Sequence, residues 1–423
     1  MKRIVYMDNA ATTRVDDRVV KAMLPYFTEE YGNPSSLHKL GIEAQRAVEK
    51  ARETIARSIG ASPEEIIFTS GATESDNIAI KGYCRKHKSD KKNKIITTKI
   101  EHAAVFRSCV HLSREGFNIV YLNVDKEGFI DMEQLKKELD DSVLLVSIIH
   151  GNNEIGTIQD IEAIGKLCKE HNVVFHTDAT QSYCKVPINV DEANIDMLTM
   201  NAHKMHGPKG IGALYIRDGI KIDPLYGGGP HEFRLRPGTH NVPGIVGFAK
   251  AVEIESKEME KTAEYVKKLR NYLVERLLKE IDGCYLNGSS DLSIEKRLPN
   301  NANLRFDYIE GESLVFRLSD YGIMTSTGSA CSSANLTPSH VLNAIGLPHE
   351  KAHGSLRLTL SKYTTKKDVD YAVEKIKKVV EELRELSPLT KKENKEKERR
   401  DNGFGLHGKG NRTVSEPQEC GGA

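Results

Sequence analysis

Between about residues 60 and 220, short apolar runs rich in Val and Ile alternate with segments long enough to be helices. The strand candidates are 66–68, 95–97, 119–121, 143–149, 173–177, 197–200 and 211–216. Their side chains are apolar at successive positions, so both faces of each strand call for burial. That pattern predicts a mainly parallel sheet covered by helices on both sides. Segment 41–59 is amphipathic at helical spacing and stops at Gly60, where a glycine ends helices well.

The texture changes after Gly247. Met259, Ala263, Val266, Leu269, Leu273, Leu277 and Ile281 recur at helical spacing and predict a long helix leaving the sheet domain. Region 283–388 mixes short strand-like pieces with another helix, which opens on the capping-box pattern Thr365-x-x-Asp368. Four parts are expected: residues 1–15 packing near the smaller domain, a large α/β domain over 16–258, a small α+β domain over 259–389, and a disordered polar tail over 390–423.

A chain of 423 residues has room for both cores. Its 61 basic and 60 acidic residues nearly cancel, so direct nucleic-acid binding is not expected. The start turns polar at Asp8-Asn9, which is unlike a signal peptide, and no apolar run is long enough for a bilayer. Seven scattered cysteines, an odd number without a Cys-x-x-Cys pair, suit a reduced compartment. The chain reads as cytoplasmic.

Lys204, in Asn201-Ala202-His203-Lys204, follows one apolar run, and Asp178 closes another. A lysine at a strand end can form a Schiff base, and a buried acid can keep a pyridinium nitrogen protonated. Those are the two protein contacts that pyridoxal phosphate (PLP) chemistry most needs. Ser70-Gly71-Ala72-Thr73 lies between a strand and a helix, and reads either as a phosphate cradle or as an ordinary capped turn. His102 and Asn153 also follow strands; each could be structural or could touch a ligand. Open α/β sheets bind ligands at that edge.

Cys331 sits in Thr325-Ser326-Thr327-Gly328-Ser329-Ala330-Cys331-Ser332-Ser333 with no apolar neighbours to pack it, so an exposed nucleophilic thiol is expected. Arg357 alternates with apolar residues in a strand of the small domain, where it is either a surface residue or a clamp for a substrate carboxylate.

Together these stretches resemble the cysteine desulfurases of the IscS/NifS kind, in the class V aminotransferase group of fold-type I PLP enzymes. The likeness runs from Tyr6-Met7-Asp8-Asn9-Ala10-Ala11-Thr12-Thr13 to about Leu389, through Gly32-Asn33-Pro34-Ser35-Ser36, Asp178-Ala179-Thr180-Gln181-Ser182 and Gly207-Pro208-Lys209-Gly210. It implies that Lys204 carries PLP, Asp178 pairs with the ring nitrogen, Gln181 bonds the phenolic oxygen and His102 stacks on the ring as acid–base. It implies that Ala72, Thr73 and His203 line the phosphate, with Asn201 where the family usually has serine or threonine. Asn153 and Arg357 would hold the carboxylate of L-cysteine. Cys331 would take its sulfur as a persulfide, leaving L-alanine, and pass it to an iron–sulfur scaffold (where it could transiently meet a cluster), a tRNA-thiolation protein or another acceptor. No resident metal is implied. Thr239 would reach the phosphate of a partner subunit, which implies a homodimer, although the stretch 227–233 before it is one residue longer than usual. A selenocysteine lyase would share nearly every one of these residues. A PLP-independent thiol hydrolase using Cys331, His102 and Asn153 would leave Lys204 and Asp178 without a task, and a non-catalytic sulfur-relay subunit would not need both Lys204 and Cys331.

Overall fold

The computed structural model describes residues 3–327 and 339–387. Its strands in chain order are β1 (Val5–Tyr6), β2 (Ile66–Thr69), β3 (Lys94–Thr98), β4 (Asn118–Leu122), β5 (Val143–Ser147), β6 (Val174–Asp178), β7 (Met197–Asn201), β8 (Gly212–Ile216), β9 (Cys284–Asn287), β10 (Asn301–Phe306), β11 (Ile323–Met324) and β12 (Ser355–Thr359). All seven strand candidates between 60 and 220 are strands. They form one sheet in the order β2-β8-β7-β6-β5-β3-β4. Only β8 runs against its neighbours. The link from Asn201 to Gly212 is too short for a crossover, so β8 folds back on β7 as a hairpin. The other six strands share one direction, which puts Thr69, Thr98, Ser147, Asp178 and Asn201 on one edge. Between β6 and β7 the expected helix is absent; turns fill 179–196.

Successive strand residues alternate between two cores, as pleating requires. Ile66, Phe68, Ile96, Leu198 and Met200 enter one, beneath the helix Lys39–Ser58, whereas Ile67, Ile95, Met197 and Leu214 enter the other. The helix Lys39–Ser58 ends before Gly60, whose φ of 77° is the left-handed geometry glycine tolerates.

The helix Val242–Glu280 is 39 residues long, which at about 1.5 Å per residue is roughly 58 Å. Val242, Ile245, Phe248 and Val252 bury in the sheet's core, while Val266, Leu269, Leu273 and Leu277 bury in a separate core. That second core gathers Leu304 and Phe306 of β10, Leu356 and Leu358 of β12, and Val369, Val373, Ile376 and Val380 of the helix Lys366–Leu386. The capping box of that last helix forms as the sequence predicts, with Thr365 and Asp368 each bonding the other's backbone amide. The small part is thus an α+β unit around the antiparallel sheet β12-β10-β9. Chain residues 5–7 join it, for β1 pairs with β11 and Val5 and Met7 enter its core. Cys84, Cys109, Cys168, Cys184 and Cys284 are all buried; Cys331, Cys420 and the tail 390–423 lie outside the described residues. Among the described residues no helix is long and apolar enough to cross a membrane.

Candidate active site

Five loops leave the common edge of the sheet toward one cleft. The first follows β2. Gly71 takes φ 152° and ψ 177°, a region almost closed to side chains, and starts the helix Ala72–Asn77 with no side chain to cap it. The amides of that first turn therefore lie open to an anion. They line a cavity of about 390 Å³ with Thr12, Ser70, Thr73, Asn201, His203 and Lys209. Asn201 accepts the His203 amide at 3.0 Å, and His203 Nδ1 stands 3.1 Å from Thr12 Oγ1. Burial, with help from the charges of Lys204, Lys209 and Lys185, pushes the His203 imidazole down to about 3. Ala72, Thr73, Asn201 and His203 are brought together as expected. Lys209 and Thr12 join them without having been singled out.

The loops after β3 and β6 form the other end. His102 is the N-cap of the helix Ala103–Arg114, and its Nδ1 accepts the Ala104 amide at 3.2 Å. That bond leaves Nε2 to carry the proton of the neutral ring. Burial lowers the pKa of His102, and Lys204 and His340 lower it further, while the charge of Asp178 raises it. Asp178 itself is 3 % exposed and accepts the Thr180 amide at 2.8 Å. One side-chain atom each of Asp76, His102 and Asp178 lies within 4.8 Å of the others. Asp76 was invisible as a site residue in the sequence; its signal was the spacing of four from Ala72, which puts both on one helix face. Glu101 was also missed. It is fully buried, accepts Thr98 Oγ1 at 2.7 Å and the Ile149 amide at 3.0 Å, and is pushed up by burial to about 8.

Lys204 sits in the hairpin between β7 and β8. Its Nζ donates to the carbonyls of Ala10 at 2.6 Å and Ala11 at 2.7 Å. Gln181, three residues past Asp178, donates to the same Ala10 carbonyl at 2.9 Å. One carbonyl thus ties the loops after β6 and β7 together, and His102 lies within reach of the charges of both Asp178 and Lys204.

Arg357 comes from β12 and is buried, not a surface residue. It donates to the Asn153 carbonyl at 2.9 Å and to Asp8 Oδ1 at 3.0 Å, and its Nε has no partner among the described residues. The strand containing Arg357 also bridges to Ser326. Beyond the segment that contains Cys331, Ser339 donates to Glu154, and His340 Nε2 lies 2.9 Å from the Glu101 carbonyl. The chain is therefore held beside the cleft on either side of that segment, whose own residues lie outside the description.

Thr239 is exposed and does not line the phosphate cavity of its own chain. The stretch before it is anchored by Glu232, which accepts two bonds from Arg52, one from the Phe68 amide and lies 2.6 Å from His240 Nε2. Burial opposes its ionisation, but Arg52 and His240 outweigh that and hold it at about 2. Glu232, Phe233 and Arg234 all have positive φ, a run of left-handed residues that this anchor must hold in place.

The donor set fits PLP: an uncapped helix start with a nearby cation for a phosphate, an amine for an aldehyde, and a buried acid for a pyridine nitrogen. The aminotransferase class-V family matches residues 5–372. The chain is 51 % identical to the cysteine desulfurase IscS of Dictyoglomus turgidum over 388 residues, covering 92 % of this chain and 97 % of that one. It is 51 % identical to the cysteine desulfurase IscS of Methanosarcina thermophila, covering 92 % and 95 %. A solved NifS-like protein superposes with a TM-score of 0.83 at 42 % identity, over 90 % of this chain and all of that one. The chain belongs to the class-V aminotransferase family, in its cysteine desulfurase branch.

Proposed function

We propose that Lys204, His102 and Cys331 carry the catalytic steps of a PLP-dependent cysteine desulfurase, which converts L-cysteine to L-alanine and an enzyme persulfide. The supporting observation is that the loops after β6 and β7 meet on the Ala10 carbonyl, with the amine of Lys204 beside Gln181, and that His102 feels the charges of both Asp178 and Lys204. Bound PLP supplies an electron sink for negative charge at the substrate α-carbon. Lys204 would hold it, with Asp178 at the ring nitrogen, Gln181 at the phenolic oxygen, and Ala72, Thr73, Asn201 and His203 at the phosphate.

Arg357 and Asn153 orient the substrate carboxylate. A planar guanidinium suits that two-oxygen anion, and Nε is among the N–H donors its two bonds leave over. Once the substrate is held, Lys204 moves the proton at the α-carbon, and His102 takes or returns a proton at the departing sulfur. The Cys331 thiolate attacks that sulfur: a sulfur–sulfur bond forms, the carbon–sulfur bond breaks, and its electron pair goes to carbon, which takes up the proton that His102 received from the sulfur and becomes the methyl of alanine. The persulfide then passes to an iron–sulfur scaffold or another acceptor. Because Thr239 is exposed, it serves the phosphate site of a second copy. Val20, Leu24, Phe27, Tyr31 and Leu37 are all exposed apolar residues along one run of chain, and a homodimer would cover them. We place the large domain at 16–258 and the small one at 259–389.

The test is a visible spectrum of the purified protein, followed by addition of cysteine with alanine and sulfide measured. A cofactor band that responds to cysteine, with alanine formed, is expected. Cys331→Ala should keep the band and release no sulfide. A colourless protein inert to cysteine refutes the reading.

A further inference from the structure

Asp76 is the group at the ring end that the mechanism leaves unused. It is 0 % exposed, and neither carboxyl oxygen makes a well-formed hydrogen bond among the described residues; the Thr199 hydroxyl is the donor near it. A buried carboxylate without well-formed bonds is costly, whereas a buried carboxylic acid is much less so. The groups around it agree. Asp178, on the end of β6, lies within the same 4.8 Å cluster, and two carboxylates that close resist ionising together. Glu101, after β3, adds a third buried carboxyl. His176 Nε2 is 3.8 Å from Asp76 Oδ1, but burial pushes His176 down to about 3, so it brings no charge. Its Nδ1 lies 2.8 Å from Ser147 Oγ and its Nε2 3.1 Å from Thr199 Oγ1. His102, the remaining neighbour, is also driven toward its neutral form. Burial and the Asp178 charge outweigh the Thr199 hydroxyl and raise the Asp76 carboxyl well above its ordinary range.

We propose that Asp76 is a positioning residue of the ring site: a carboxyl that keeps its proton, offers it toward Asp178, and leaves Asp178 as the negative group for the pyridine nitrogen. This deepens the proposed function and rests on the assignment of Asp178. Asp76 shares a helix with Ala72 and Thr73, so the element that would receive the phosphate also carries the acid that sets the charge at the ring. The two ends of the cofactor would be spaced by one rigid part.

Three variants of the holoenzyme test it. Asp76→Asn keeps shape, neutrality and a donor; Asp76→Leu keeps the branching of the side chain in a larger volume and removes the donor. The infrared difference between wild type and Asp76→Asn should show loss of an un-ionised carboxyl stretch at neutral pH. Loss of a carboxylate band instead overturns the proposal. The pH midpoint of the cofactor's visible band should stay in place in Asp76→Asn and move by about one unit in Asp76→Leu, with PLP leaving about tenfold faster. An unchanged midpoint and off-rate in the Leu variant also overturn it. If Asp76→Leu does not fold, the infrared result on Asp76→Asn decides alone. Stoichiometric Zn²⁺ binding by the PLP-free protein that Asp76→Asn abolishes would count against it, since a ligand must give up its proton. Asp178→Asn separates the layers. No change there in the visible band's pH response refutes the ring-nitrogen assignment, while the infrared result still reports on Asp76.

Discussion

The ring end and the phosphate end of the proposed cofactor site are built by different physics. At the ring end Asp76, Glu101 and Asp178 are at most 3 % exposed, and their environment sets which of them holds a proton. At the phosphate end Ser70, Thr73, Lys209 and Gly210 are exposed, and the attraction comes from backbone dipoles and a surface cation. The first end is buried within one chain. The second is open, and under the proposed function Thr239, exposed on its own chain, would complete that of a second copy. Sealed geometry suits the place where charge must be controlled, and an open end suits the place where a cofactor enters.

On that contrast, substitutions at the ring end should cut turnover in a way that added PLP does not restore, and those at the phosphate end should weaken PLP binding while turnover recovers at saturating cofactor. The largest effect is expected at Lys204→Ala, with alanine formation falling below about one thousandth of wild type. Asp178→Asn should lower kcat by about a hundredfold to a thousandfold, the scale of removing one preorganised charge from a dry site. A ring-end variant that simply loses PLP and regains full kcat when PLP is added would erase the distinction. Arg357→Lys should raise KM for cysteine by about tenfold or more with kcat less changed, because an ammonium cannot replace a planar fork.

Much of this was legible in the chain, for identifiable reasons. Most of the seven strands were readable because both faces are buried, which writes uninterrupted apolar runs; β4, at the sheet edge, is only half-buried over Ile119, Val120 and Tyr121 yet keeps such a run. Lys204 and Asp178 were readable because each follows or ends such a run. The reversal of β8 was implicit in the short link from 201 to 212, although its apolar residues look like those of a parallel strand. Asp76 and Glu101 were hidden because an acid within a helix or loop motif usually faces water; only the fold reveals that these two do not. Thr239 was placed by resemblance alone, since its proposed task needs a second chain. The left-handed run at Glu232, Phe233 and Arg234 had no sequence sign, for none of the three is a glycine.

Thr239→Ala sharpens the comparison from the other side. It removes one hydroxyl donor to a charged group, worth about 1.5 to 3 kcal/mol, so PLP affinity should drop by about tenfold to a hundredfold. At saturating PLP, kcat should recover to near wild type, and sedimentation should report an unchanged oligomer. Loss of kcat that added PLP does not restore would place Thr239 in the chemistry and blur the two ends.

The smallest expected effect concerns stability and belongs to the ring end alone. Burial holds Glu101 at about 8 in the folded chain against its ordinary 4.5. Between those values the unfolded chain has released this proton and the folded chain still keeps it. Fewer protons bound in the unfolded state means that stability falls as pH rises, and the fall ends once the folded group ionises near pH 8. Glu101→Gln cannot ionise, so its contribution should be flat over the same window. In the cofactor-free protein, wild type should therefore lose a few °C of melting temperature relative to Glu101→Gln between pH 5 and 8.5, about the scale of a few kcal/mol in a chain this long. Parallel curves for the two proteins would mean that water reaches Glu101, and the sealed character assigned to the ring end would go with it.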